Sequence, residues 1–237
     1  MKPKLPKLKI TNWRKYALEF FSIFIAVLSA FALNNWNDNR KDAIATNKIL
    51  QEISNGLLKD VDDILLNSKG HKVGLSACKF WQKIISGEEV NSDSLVYRYI
   101  ALTRDFSSMQ NSSGYQTLKS KGLELIENDS LRYDIISLYA YDFRALKFLE
   151  EEYHEGQFQK NYFEDFNRII SPYLIFDQAG EIIDIAQPIN LPLAEKNLLL
   201  SYILKIKYNR EFSLRYYNQM ETKIKKVVDR IKTELGE

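Results

Sequence analysis

Few residues in this chain could do acid–base, nucleophilic or metal chemistry. His71 and His154 are the only two histidines, and Cys78 is the one cysteine. Glu151-x2-His154 has the spacing with which half of a carboxylate-bridged di-iron site is built on a helix, the carboxylate bridging and the imidazole ligating. A whole site needs a second Glu-x2-His, and His71 has Ser68 at the matching position. The run Glu150-Glu151-Glu152 is therefore read as a solvated helix face. Cys78 lies among Leu75, Phe80 and Trp81. A lone thiol closes no internal disulfide, so Cys78 is expected to be a buried apolar filler. The chain carries no nucleophile elbow, phosphate-binding glycine loop, zinc spacing or dinucleotide fingerprint. Tyr115, Lys119 and Lys121 read as a helix edge with solvated charges. Asn111-Ser112-Ser113 fits a glycosylation acceptor pattern, which by itself carries no functional argument. The expectation is a non-enzymatic protein with no catalytic residue, no cofactor and no metal. With 33 Lys and Arg against 31 Asp and Glu, the charge balance makes no case for nucleic acid as a partner.

The charge that most demands an explanation is Glu19. It sits in Tyr16–Leu33, YALEFFSIFIAVLSAFAL, an otherwise apolar run. About 18 such residues reach the lower range for a membrane-spanning helix. Ala30-Phe31-Ala32 also fits a signal-peptide cleavage site. Against cleavage, the run exceeds the usual h-region of roughly 7–15 residues, and no Gly or Pro interrupts it. Trp13, Tyr16 and Trp36 bracket it as interfacial aromatics bracket a span. A buried soluble helix is a further alternative, since Glu19 shortens the strictly apolar core.

Lys2, Lys4, Lys7, Lys9, Arg14 and Lys15 precede the run with no acid among them, while Arg40 and Lys41 after it are offset by Asp38 and Asp42. The positive-inside rule then puts a basic tail, 1–15, in the cytoplasm. In a Gram-negative cell, the expected span 16–33 then anchors the chain in the inner membrane and leaves 34–237 in the periplasm. Glu19, Ser22, Ala26 and Ser29 share one side of this helix, with Ala30 beside them. Ser22-x3-Ala26-x3-Ala30 is a small-xxx-small ladder that lets helices approach closely. Glu19 either reaches the headgroups by snorkelling or faces protein. The second case makes this stripe a packing face for another membrane protein or a second copy; the lipid bilayer is a partner in both.

Beyond the run the pattern is helical almost throughout, and the fold class expected is all-α, a helical bundle. Ile49, Leu50, Ile53, Leu57, Val61, Ile64 and Leu65 form a stripe, with Gly70 as its expected end. A second helix carries Val73 to Ile85 and closes at Gly87. A third starts near Ser92 as N-cap and runs to Phe106, followed by a loop or cap at 107–114. Tyr115 and Leu118 begin a short helix that stops at Gly122. Asn128, Asp129 or Ser130 caps a longer one through Leu131, Ile135, Leu138, Tyr139, Leu146 and Leu149, continuing past Gly156 to Ile170. Residues 173–186 read as a small hairpin or ordered loop around Asp177-Gln178-Ala179-Gly180. Pro192 opens the C-terminal helical block, 192–235. There, Leu199, Ile203, Ile206, Tyr217, Met220, Ile224, Val227 and Ile231 keep one heptad frame. Arg210 and Ser213 stand at its weak middle positions, so the block is one helix or two joined near Asn209.

Two blocks resemble a known group. KYALE, the apolar run and NNWNDNRK are similar to the opening of a family of uncharacterised single-pass membrane proteins common in Bacteroidota, catalogued as a domain of unknown function. GYQTLKSKGLELIENDSLRYDIISLY resembles that family's second block, an aromatic-x2-Leu-Lys-x2-Gly stretch leading into Leu-Arg and a tyrosine-bearing helix. Members often carry Gly in mid-span where this chain has Ala26 and Ala30. The resemblance implies an anchor and a helical domain, and no activity. The expected role is an interaction or scaffold subunit of a cell-envelope complex. The alternative is a periplasmic helical ligand-sensing domain signalling through a partner membrane protein.

Overall fold

The computed structural model describes residues 13–237, which divide into two units with the boundary between Lys48 and Ile49. The basic tail falls outside the described residues up to 12. Helix α1 runs over Trp13–Ser86 and contributes to both units. Its residues in the first unit include a stretch long and apolar enough to cross a membrane, none of it buried.

The second unit is all-α with one small hairpin. Its elements are α2 (Leu95–Thr103), α3 (Ser113–Lys121), α4 (Asp129–Ser137), a π-helical segment (Leu138–Asp142), α5 (Phe143–Lys147), a second π segment (Phe148–Glu152), α6 (Phe158–Ile170), β1 (Leu174–Phe176), β2 (Ile182–Ile185) and α7 (Leu193–Leu235). The expected C-terminal block is one helix of 43 residues.

Residues of α1 and α7 at three- and four-residue spacing line two hydrophobic cores. One core joins Ile49–Ile64 of α1 to α3, α4, α5 and the stretch Tyr217–Ile231 of α7. The other joins Ala77–Ile85 to α2, α6, the hairpin and the stretch Leu199–Ile206. The order of these partners makes the two helices antiparallel within this unit. Each fully buried Leu or Ile contributes about 1.5–3 kcal/mol, so packing rather than propensity holds helices as short as α2 and α3.

The hairpin closes as expected. Leu174 pairs with Ile185, Ile175 with Asp184 and Phe176 with Ile182, leaving a bulge at Ile183. Asp177 Oδ1 accepts from the Ala179 and Glu181 amides at 2.9 Å, an Asx turn. Asn128 caps α4, its side chain accepting from Leu131 N at 3.1 Å. Gly122 ends α3 at φ 113°, a conformation that only Gly adopts without strain.

Three boundaries differ from the expectation. Gly70 does not end a helix; a Cβ there would lie 2.2 Å from the Phe106 ring, so this glycine is a notch for Phe106. The third helix stops at Thr103, and Ser92 is not its cap; Ser94 precedes Leu95 without a side-chain bond. The helix expected to continue past Gly156 breaks at Tyr153, whose ψ is 108°; the carbonyls of Phe148 and Glu150 are satisfied instead by Tyr153 N and Gln157 Nε2.

Candidate functional site

Trp13, Tyr16 and Trp36 are exposed on α1, as are Glu19, Ser22, Ala26, Ser29 and Ala30. The Ser22 hydroxyl donates to the Glu19 carbonyl at 2.9 Å, so it is engaged within its own helix.

In the second unit the elements bring together residues that the sequence leaves scattered. A polar layer separates the two cores. Arg210 is fully buried at its centre, 0% exposed. Its Nη2 donates to the carbonyls of Ala101, Leu102 and Arg104 at 2.9–3.1 Å. The cation thereby caps the C-terminus of α2, where the helix dipole is negative. Nη1 lies 3.2 Å from His71 Nδ1, and the guanidinium stacks on Phe158 at 4.5 Å. Burial lowers the Arg210 pKa to about 10. Burial, reinforced by Arg210, holds His71 neutral with a pKa of about 3. Neutral Nδ1 is then the acceptor of the Arg210 proton. His71 packs against Phe106 and Tyr217 and orients the Arg210 guanidinium.

The loop after α2 is strapped down by carboxylates. Asp63 accepts from Met109 N, and Asp60 Oδ1 from the backbone and side chain of Asn111, at 2.6–2.9 Å. Glu150 accepts from Ser108 N at 3.0 Å and from the Tyr217 hydroxyl at 2.7 Å. Asp105 of the loop accepts from Phe158 N at 2.8 Å and caps α6. Desolvation raises the pKa of Asp60, Asp105 and Glu150 above the ordinary range, opposed by these hydrogen bonds. Such a cluster can mark an active site. Here most of the carboxylate oxygens are occupied in holding backbone amides. Asp60 Oδ2, Asn67 Nδ2 and Arg210 Nε are buried without a partner among the described residues.

Glu150 is thus not part of a solvated acidic face, which corrects the expectation for the Glu150–Glu152 run. Glu151 is exposed and pairs with Lys147 at 3.6 Å. His154 is exposed beyond the break at Tyr153, so Glu151-x2-His154 does not present one helical face. Among the described residues no group of three or more His, Cys, Asp or Glu could hold a metal. Cys78 is buried as expected, and desolvation pushes its thiol up to about 11.

A groove of about 920 Å³ lies between the π segments and α7, walled by Tyr141, Phe148, Phe212 and Tyr216. In the π segments Phe143 N bonds back to Leu138 O and Tyr153 N to Phe148 O. Each wide turn inserts a residue. The inward residues Leu138, Tyr139, Asp142, Phe143 and Leu146 stay buried, while Tyr141, Arg144 and Phe148 face out. π turns are frequent at functional sites.

Sequence reasoning missed both features. A charged residue on an apolar heptad frame opposite Gly70-x3-Gly74 was the available sign of Arg210. Nothing in the pattern signals two π turns. No family model, curated protein or solved structure matches the chain.

Proposed function

We propose that the protein is a membrane-anchored, non-enzymatic interaction or scaffold subunit of a bacterial cell-envelope complex. The observation that carries this is the apolar stretch of α1, whose Leu18, Phe20, Ile23 and Phe31 are each more than half exposed. A bilayer is the environment in which that surface costs nothing. The charge asymmetry supports a cytoplasmic N-terminus, with the helical unit in the periplasm. The stripe of Glu19, Ser22, Ala26, Ser29 and Ala30 supports packing of the anchor on a second span. The resemblance of the two sequence blocks to single-pass membrane proteins points the same way.

The test is purification of the tagged full chain from native membranes in mild detergent, with the complex mass measured and co-eluting proteins identified. Stoichiometric partners are expected. A lone monomer or homo-oligomer would overturn the heteromeric reading. The second reading, a ligand-sensing domain acting through a partner span, is favoured by the aromatic groove alone.

A further inference from the structure

We infer that the groove beside α7 is a binding site for a small amphipathic anion, an aromatic or alicyclic body carrying a carboxylate or sulfonate. The volume of about 920 Å³ lies within the roughly 300–1,000 Å³ of small-molecule sites. The aromatic walls are Tyr141 and Phe148 on one side and Phe212 on the other, at 71%, 54% and 42% exposure. Tyr153 and Phe212, with ring centroids 6.3 Å apart, bridge the two walls. A groove bridged by a ring pair suits a compact ligand better than an extended chain.

The polar group available to a ligand's anionic end is Arg144. Arg144, Lys147 and Glu152 are the charged residues lining the groove. Lys147 is already paired with Glu151. The Arg144 guanidinium has no hydrogen bond or ion pair among the described residues. A cage of aromatic rings would otherwise suit a quaternary ammonium; the free guanidinium opposes that and offers a planar fork that grips a carboxylate or sulfonate. The π turns on either side of α5 hold Arg144 and Phe148 on this face, so the groove is built by two uncommon backbone features rather than left over between helices. The site stands apart from the scaffold reading, since a complex can form with or without it.

The experiment is equilibrium dialysis of the full chain in zwitterionic nanodiscs, with empty nanodiscs subtracting partition into lipid. The probes are naphthalenesulfonate, naphthalenemethanol and naphthyltrimethylammonium, which share a body and differ in charge. The sulfonate should bind saturably and about tenfold more tightly than the alcohol, with the ammonium weakest. Arg144→Gln should bring the sulfonate down to the level of the alcohol, and Arg144→Lys should recover part of the difference. Phe148→Ala should weaken sulfonate and alcohol alike. Arg144 is exposed, so its variants should keep the native far-UV circular dichroism. The inference is overturned by non-saturable binding of every probe, equal affinity for the three, tightest binding of the ammonium, or full retention of the sulfonate by Arg144→Gln.

Discussion

Gly74→Ala should destabilise the helical unit even though alanine is the better helix former. A Cβ at position 74 would lie 2.4 Å from Arg210 Cζ and Nε and 2.8 Å from Cδ. Ala in a helix interior gains about 0.5–1 kcal/mol over Gly. To make room, the guanidinium must leave the carbonyls of Ala101, Leu102 and Arg104. Each buried carbonyl left unsatisfied costs about 1–3 kcal/mol. Losing two of them outweighs the propensity gain and leaves a net cost of roughly 1–5 kcal/mol. Guanidinium denaturation of the full chain in mild detergent, followed by far-UV circular dichroism, should show a lower midpoint. In an Arg210→Ala background the obstacle is gone, so the same Gly74→Ala change should be neutral or stabilising by up to about 1 kcal/mol. The sign reversal separates a specific collision from general intolerance at position 74. Stabilisation in the native background, or an equal loss in both, would refute the role assigned to Arg210.

Gly70→Ala should push against Phe106, whose ring would meet the new Cβ at 2.2 Å, and loosen the loop 104–112; limited proteolysis should then cut that loop faster. His71 has a folded pKa of about 3 against 6.5 unfolded, so the unfolded chain takes up the proton first. Its contribution to stability is full above pH 6.5 and is lost as pH falls toward 3; His71→Gln should flatten the pH dependence of the unfolding midpoint in that window. Glu150 runs the other way: its raised folded pKa means stability is lost as pH rises from the ordinary carboxylate range through the raised value, and Glu150→Gln should remove that slope. The Cys78 thiol, buried and with its pKa near 11, should react with a disulfide reagent only after denaturant opens the fold. Ala26→Leu with Ala30→Leu should weaken self-association in a membrane two-hybrid assay; an unchanged signal would exclude self-pairing through that face.

The sequence by itself determined the apolar stretch of α1, the all-α class, a turn-centred hairpin or loop near 173–186, a helix cap within 128–130, the stop at Gly122 and the buried Cys78. Each follows from local chemistry: hydrophobic period, a capping side chain, or the φ that only glycine tolerates. Tertiary structure alone decided the rest. Gly70 reads as a helix end, yet it and Gly74 are spaces into which Phe106 and Arg210 fit, residues that lie far away along the chain. Arg210 reads as a flaw in an apolar heptad; it becomes the cap of α2 because α1 and α7 run antiparallel and bring it to that helix's last carbonyls. Glu150 reads as a solvated acid and is turned inward by π turns that no residue pattern encodes. The aromatic groove arises the same way, from Phe148 and Phe212 brought to line one groove by packing. Periodicity reports which side of one helix is apolar, whereas sites of this kind depend on which two sides meet.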